Sequence, residues 1–396
     1  MRLSVVSHSC VIDTNQAMFA AMEALGVTLQ LIVPAQWRGD LSGRLAPPQR
    51  WEGLDAPLTP VPVAMPGRVP LHAYTRSLGR HFYLFQPDAI YVENESYAVS
   101  TFQSALANRL TLRRPLLFRN NQNLVKRYPP PFGWAERFVL SEAACANVVN
   151  EEAGRVLRDK GYKGRVAYLP YGVDPDFHRP HDARELRKAL GLQGTVFGYA
   201  GRLVEEKGIR AMLEAFRRFH LEEDVSLLVI GDGPLRGLVE TTFATPPFAG
   251  RARWLPVVPH REMPLHLSAM HALLLPSLTR PRWKEQFGRV IIEAMACGVP
   301  VIGSDSGEIP HLIARLQGGL VVPEGSADAL FAAMQRLREA PELYDTLREQ
   351  GRREVEEQYA YQALAYRFVQ LLEAVTADRR RGRHPEEVLP AWVEEA

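Results

Sequence analysis

This chain is poor in lysine, in cysteine and in long apolar runs, and each shortage excludes something. Only six of its 47 basic residues are lysine, so arginine is the default cation and a lysine at a motif position is the less expected choice. Against 45 acidic residues the net charge is +2, which provides no global field to draw the chain onto nucleic acid. The three cysteines, Cys10, Cys145 and Cys297, lie far apart in apolar stretches. They offer neither a disulfide framework nor metal-ligand spacing and read as core packing in a reduced, cytosolic protein. No apolar run reaches the ~20 residues of a membrane span, and Met1-Arg2-Leu3-Ser4-Val5-Val6-Ser7 lacks the apolar region and cleavage site of an export signal. The expectation is a chain that neither spans a membrane nor leaves by that route. What the 396 residues do have is 46% hydrophobic and 23% charged content, enough for large cores and, at this length, for two domains.

Short apolar runs alternate with helical patterns from the first residue, the rhythm of parallel sheets covered on both faces. The first half predicts strands at 3–7, 28–34, 89–92, 115–119, 146–150 and 166–170, with helices such as 16–25 and 97–110 between them. The proline-rich stretch 46–70, with Trp51, has no clear period and reads as a long connection or lid. At 171–180 prolines and aspartates stop any regular element, which marks a domain boundary. The rhythm then restarts with strands at 195–200, 225–230, 253–257, 272–276, 300–303 and 320–322, and a helix over 208–220. This divides the chain into a first domain (1–170), a linker (171–182), a second domain (183–358), a C-terminal helix (359–377) packing back toward the first domain, and a polar tail (378–396). In that tail Arg379-Arg380-Arg381 with Arg383 reads as a solvated run or as a contact to anionic lipid.

In open parallel sheets ligands bind beyond the carboxyl ends of strands, and that rule selects the residues to weigh. The strand at 195–200 runs into Gly201-Arg202-Leu203-Val204-Glu205-Glu206-Lys207-Gly208 and then a helix. Small residues let backbone approach a ligand, the helix start offers free N–H groups, and two cations meet at one strand end, which fits an anion site, most simply phosphate. A glycine turn with two exposed cations would look the same. No Gly-Lys-Ser/Thr follows, and Gly198 to Gly201 do not form a dinucleotide fingerprint. The strand at 225–230 runs into Gly231-Asp232-Gly233-Pro234, where proline can open a helix. The richest segment is Glu285-Gln286-Phe287-Gly288-Arg289 through Glu293 to Cys297-Gly298-Val299-Pro300, with helical spacing from about 289 and a stop at Gly298. Its two glutamates, eight residues apart, would be ~12 Å apart if the stretch were helical throughout. That span suits a nucleoside's ribose and a sugar attached across its diphosphate. It suits equally an ordinary amphipathic helix with two exposed glutamates.

Gly201-Arg202 with Lys207-Gly208, Gly231-Asp232-Gly233-Pro234, the glutamate pair ending in Glu293-Ala294-Met295-Ala296-Cys297-Gly298-Val299-Pro300, and Gly172-Val173-Asp174 with Phe177 together resemble the family 4 retaining glycosyltransferases. The match is dense over 146–322 and loose before it. The resemblance implies an α/β protein of the GT-B fold, two Rossmann-like doubly wound parallel-sheet domains facing across a cleft. It implies transfer of a hexose from a nucleoside-diphosphate sugar to a hydroxyl acceptor, a glycan, glycolipid or small molecule, with retention and without metal or other cofactor. Arg202 and Lys207 would hold the donor diphosphate, with Gly201 and Gly231 close by, and with Glu285 they would be the catalytic set. Glu285 would contact the sugar hydroxyls and Glu293 the ribose hydroxyls. Phe287 and Gly288 would give backbone contacts, and Val258 and Pro259 would meet the base. Asp174-Pro175-Asp176 lies in the linker and is not taken for a metal-binding Asp-x-Asp.

Two departures stand out. Where many members have a glycine pair after the first strand, this chain has Val11-Ile12-Asp13-Thr14-Asn15-Gln16, and where many carry a first-domain histidine, it has Arg119-Asn120-Asn121-Gln122-Asn123. No first-domain catalytic residue follows by motif. Position at strand ends selects His8, Asn94, Glu95, Asn120, Gln122 and Asn123 as the sugar or acceptor side, with Asn15 and Gln16 from the segment at the place of the glycine pair, although a structural role suits His8 as well. Tyr128-Pro129-Pro130-Pro131-Phe132-Gly133-Trp134 beside Arg127 reads as a packed loop or as a membrane-surface contact for a lipid-linked acceptor. The expected location is the cytoplasm, including the inner face of the membrane with peripheral contact. An epimerase or phosphorylase of the same fold, and a non-catalytic nucleotide-sugar-binding protein, remain as other readings.

Overall fold

The computed structural model describes residues 1–38, 44–221 and 224–381, with side chains as far as 377, so the side chains of Arg379, Arg380 and Arg381, and Arg383 altogether, lie outside what is described. The chain divides into two compact units, the first built from Met1–Pro170 and the C-terminal segment from Tyr361, the second from Tyr171–Ala360.

The first unit carries a parallel sheet of seven strands, β1 (Arg2–Ser7), β2 (Thr28–Pro34), β3 (Leu58–Val61), β4 (Ala89–Glu93), β5 (Leu116–Asn120), β6 (Ala143–Val148) and β7 (Arg165–Tyr168), in the order β7-β6-β5-β4-β1-β2-β3. Alternate residues point to opposite faces, so the near-continuous apolar runs fill two cores. Leu29, Leu31 and Val33 join Tyr91 and Phe19 on one face, while Val6, Ile32, Ile90 and Phe118 lie on the other. Helices α1 (Ala17–Ala24), α2 (Leu78–Phe85), α3 (Val99–Leu110), α4 (Phe132–Glu142) and α5 (Glu151–Asp159) connect the strands. Helix α4 has no counterpart in the sequence reading. The 46–70 stretch, which reads as a lid, contributes the edge strand β3, with Leu31 paired to Leu58. Strand β6 starts and ends before the expected 146–150 because Asn150 caps α5 instead, its side chain accepting the Ala153 N–H at 2.8 Å.

The second unit carries a six-stranded parallel sheet, β8 (Thr195–Ala200), β9 (Val225–Ile230), β10 (Ala252–Leu255), β11 (Ala272–Leu275), β12 (Val301–Ser304) and β13 (Gly319–Val322), in the order β10-β9-β8-β11-β12-β13. It is covered by α6 (Arg184–Leu190), α7 (Ile209–Arg217), α8 (Arg236–Phe243), α9 (Met263–Ser268), α10 (Arg289–Ala296), α11 (Ile309–Leu316), α12 (Ala327–Glu339) and α13 (Pro341–Gln358). The segment expected as a linker belongs here: Val173 bridges Ala360, and its N–H donates to Tyr359 O at 2.9 Å. The last helix, α14 (Tyr361–Arg381), lies in the first unit, where Leu364, Phe368, Leu371 and Leu372 are buried beside Phe19 and Met22. In each sheet the order reverses between two neighbours, β1 with β4 and β8 with β11, and ligand sites in such sheets form beyond the carboxyl ends at that point.

Candidate active site

In the second unit the switch point falls where β8 and β11 end, and glycine brings their loops into contact. Gly208 has φ +69°, and a Cβ there would lie 1.8 Å from Pro276 O, so the loop after β8 passes directly over the end of β11. Gly231 is fixed in the same way, its absent Cβ 1.9 Å from Gly201 O, while Trp254 Nε1 donates to Gly231 O at 2.9 Å. This closeness brings together two of the sequence-selected side chains, 78 positions apart: Lys207 Nζ donates to Glu285 Oε2 at 2.5 Å. Ser277 Oγ donates to the same oxygen at 3.0 Å, and Ser304 Oγ holds Ser277 O at 2.5 Å. The Trp283 ring lies 5.2 Å from the ammonium. Glu285 is 7% exposed, and its carbonyl accepts the Glu308 N–H at 3.2 Å across Gly307, where a Cβ would meet that oxygen at 2.1 Å. Arg202 is exposed at the mouth of the same loop, its carbonyl accepting Tyr199 Oη at 2.6 Å. Burial, reinforced by the Glu285 charge, pushes the Tyr199 phenol well above its ordinary range, so it stays a neutral donor.

Glu285 sits outside the helix and Glu293 inside it. Gly288, at φ +77° and ψ +58°, is the cap from which α10 starts, and Phe287 is buried with its ring 5.5 Å from Tyr171. Only the backbone of 287–288 is therefore available to a ligand. Glu293 has a side chain 19% exposed and lies 3.9 Å from Arg289. Near it is a group that the sequence reading passed over: His178, 5% exposed, whose two ring nitrogens have no hydrogen-bond partner. Its ring contacts Phe177 at 4.8 Å and His260 at 5.9 Å. Burial holds its imidazole below the usual range, and the Glu293 charge opposes that shift. Val258 is half-buried against the same apolar cluster as Leu255 and Tyr171, two residues before His260. Asp174 caps its own turn, with Oδ1 accepting from the N–H groups of Asp176 and Phe177. The one signal that pointed to His178 was its place beside Phe177.

In the first unit a carboxylate absent from the sequence reading organises the switch point. Glu93, at the end of β4, accepts Ser7 Oγ at 2.7 Å and Ser9 Oγ at 2.6 Å through one oxygen, and Arg119 lies 3.6 Å from the other. His8 follows β1 among Trp37 (5.3 Å) and His72 (5.4 Å); burial first and His72 second lower its pKa to about 3, so it is neutral at physiological pH. Asn15 donates to Ser9 O. Gln16 is fully buried, donating to Cys10 O and Gln49 O and accepting from Trp51 N–H; these two amides hold loops. Asn94 bonds Ser100 Oγ and Val69 O, and Asn120 donates to Gln122 O and Ala153 O. Asn123 is buried and engaged. Gln122 donates to Tyr128 Oη and accepts from Lys160, which also reaches Glu136 at 2.7 Å. Lys160, one of the six lysines, is a member that scarcity alone could have flagged. Glu95 is half-buried as a residue, and its Oε2 is buried with no hydrogen-bond partner while Asn121 N–H donates to Oε1 at 2.9 Å. Burial raises its pKa to about 7, against the pull of Asn121, Lys160 and Arg119. Among the residues that the sequence selects here, His8 Nδ1, Glu95 Oε2 and Asn120 Oδ1 are buried atoms without a hydrogen-bond partner.

Residues 182–354 match the family described as Glycosyl transferases group 1, and residues 13–172 match the Glycosyl transferase 4-like domain. The chain is similar to 2-deoxystreptamine glucosyltransferase of Streptomyces kanamyceticus, 30% identical over 52% of this chain and 54% of that one. It is similar also to the GDP-mannose-dependent alpha-(1-6)-phosphatidylinositol monomannoside mannosyltransferase of Mycolicibacterium smegmatis, 30% identical over 54% and 57%. The chain spans about half the length of these curated relatives. In fold it is similar to Anabaena HepE, solved with UDP and with UDP-glucose, at TM-scores of 0.68 and 0.65 and 17% identity over 94% of this chain and all of that one. No described helix is long and apolar enough to cross a membrane.

Proposed function

From the premise that this chain belongs to the family 4 type of group 1 glycosyltransferases, with the GT-B fold, we propose that it moves a hexose from a nucleoside-diphosphate sugar to a hydroxyl acceptor, with retention and without a metal. The observation that carries the reading is the contact of Lys207 with Glu285 at the β8/β11 switch point, with Arg202 on the same loop. Cleaving a glycosyl–phosphate bond builds negative charge on the departing diphosphate, and cations fixed beforehand at that place stabilise it. An ammonium has three N–H donors; Glu285 takes one and leaves others for phosphate oxygens. Glu285 touches the phosphate-binding lysine and, on this reading, orients the sugar, so charge and sugar are aligned by one pair. The backbone N–H groups at the start of α10 add their positive end. Glu293 on α10 would accept the ribose hydroxyls. Same-face attack follows, the leaving phosphate taking the acceptor proton.

The relatives' names support a nucleotide donor, GDP-mannose in one, and UDP is bound in HepE. Their acceptors, 2-deoxystreptamine and a phosphatidylinositol mannoside, leave glycan, glycolipid and small molecule all open. The reading places the chain in the cytoplasm, at the inner membrane face where the acceptor is lipid-linked. The test is a thermal-shift screen of UDP-, GDP-, ADP- and dTDP-sugars, followed by product analysis with and without acceptor. Stabilisation by one donor and transfer that needs an acceptor support the proposal. Product from donor alone would assign an epimerase or hydrolytic chemistry instead, and tight binding with neither transfer nor hydrolysis would assign a binding protein.

A further inference from the structure

Between β11 and Glu285 the chain makes a turn over 278–284, and the main chain holds it without help from its tryptophan. Arg280 N–H donates to Trp283 O at 2.7 Å and Trp283 N–H to Arg280 O at 3.1 Å. The root of the turn is fastened to three neighbouring loops. Leu278 N–H donates at 2.7 Å to the carbonyl of Glu206, the residue before Lys207. Thr279 N–H donates to Glu324 Oε2 after β13 at 2.5 Å, and Thr279 Oγ1 lies 3.0 Å from Ser306 Oγ after β12. The Trp283 side chain is half-buried and belongs to neither hydrophobic cluster of the second unit. Among the described residues it meets no other aromatic ring, and its indole N–H has no hydrogen-bond partner. Trp254 shows the structural use of an indole in the same unit, packed against a core cluster with its N–H donating to Gly231 O at 2.9 Å. What Trp283 meets instead is a charge: Lys207 Nζ lies 5.2 Å from the centre of its ring, within the range in which a ring face attracts a cation.

We propose that Trp283 is a positioning residue for sugar transfer that acts through Lys207, its ring holding the ammonium where the donor's diphosphate arrives. The inference rests on the donor reading above. Lysine carries its charge on a flexible four-carbon stem, so one ion pair leaves the ammonium free to swing about it. A second fixed contact restricts where a third can form. Glu285 is also an unreliable hold once the donor is bound, because on that reading the sugar hydroxyls come to the same carboxylate. The indole face offers no lone pair for which those hydroxyls compete, so the contact with Lys207 persists in the complex. The Lys207 side chain is only 19% exposed, and a cation–π contact gains strength as water is removed from it. Because Lys207 touches the carboxylate that orients the sugar, the phosphate it holds is the one next to the sugar.

The test is calorimetric titration of the full chain with UDP, GDP, ADP and dTDP, and with the monophosphate of whichever binds, which lacks that phosphate. Trp283→Leu is expected to weaken the diphosphate by about 2- to 30-fold, the range of one cation–π contact, and to leave the monophosphate unchanged. Trp283→Phe keeps a ring face and is expected to recover most of the loss. On a Lys207→Met background the leucine substitution is expected to cost nothing further, since a residue that acts through the lysine has no effect without it. Trp283 fills no core, so both of its variants are expected to keep the wild-type Tm, and the contrast between mono- and diphosphate needs no lysine variant. Diphosphate binding that Lys207→Met weakens and Trp283→Leu leaves intact overturns this inference and leaves the donor reading standing. Diphosphate binding that Lys207→Met leaves intact removes both. Equal loss for mono- and diphosphate, no recovery with phenylalanine, or the same loss on the Lys207→Met background gives Trp283 a role that does not run through the lysine, and overturns the proposal.

Discussion

Lys207 and Glu285 form a pair in which each side chain is largely buried, 19% and 9% exposed. Breaking one partner of such a pair leaves an uncompensated charge, so Lys207→Met is expected to cost on the order of 3 kcal/mol of stability. The double variant Lys207→Met with Glu285→Gln is expected to recover most of that stability and none of the turnover. Urea unfolding and initial rates on the wild type and these two variants check both halves. Arg202→Ala, which breaks no pair, is expected to lower turnover by about 10²–10³ with little change in stability. Glu293→Ala is expected to raise the donor KM by about 10- to 100-fold, the range of a lost charge-assisted hydrogen bond. Glu95 gives a pH test. Its folded pKa, about 7, lies above the ordinary 4.5 of a free glutamate, so between those values the folded state holds the extra proton and this carboxyl stabilises the fold as pH falls. His8, His72, His178 and His271 are shifted the other way, chiefly by burial, and lose stability as pH falls through the same interval. Glu95→Gln removes the opposing contribution, so its stability is expected to drop more steeply than the wild type's from pH 7 to pH 5, read by denaturant titration at each pH.

At the scale of elements, the donor-side loops are set by glycines whose missing side chains leave room for a backbone carbonyl. Gly208→Ala would force a Cβ against Pro276 O in the left-handed region, and is expected to cost more than about 2 kcal/mol and to weaken the donor-induced thermal shift with it. Gly237→Ala, in α8 with nothing within 4 Å of the added carbon, is expected to stabilise by up to about 1 kcal/mol. The contrast separates a close approach from ordinary helix propensity. Helix α14 is tied to the first unit by Phe368, fully buried and edge-on to Tyr91 at 4.9 Å, and Phe368→Ala is expected to cost about 3–5 kcal/mol in calorimetric unfolding. Apolar spacing showed α14 in the sequence because a helix face repeats. Strand β3 was invisible because Leu58-Thr59-Pro60-Val61 is short and holds a proline, which only an edge position tolerates. Helix α4 was hidden by the prolines in front of it.

For the whole molecule, every proposed donor contact lies in the second unit, whereas His8 and Glu95 lie in the first. Substituting Glu95 by Gln is therefore expected to leave the donor-induced rise in Tm at its wild-type size while transfer falls, a separation that thermal shift and product assay read together. The sequence by itself determined that there are two α/β units, because doubly buried strands and helix faces write their periods into the chain. It also determined where Gly201, Arg202, Lys207, Glu285 and Glu293 stand along it. Tertiary structure alone decided partners: that Lys207 meets a carboxylate 78 residues on, that Glu93 gathers the serines after β1, that Gln16 is spent on holding loops, and that the His178 ring packs against His260. The physical reason is that periodicity and turns depend on neighbours in the chain. Which strand ends come together depends instead on strand order, and parallel crossovers set that order across the whole sheet.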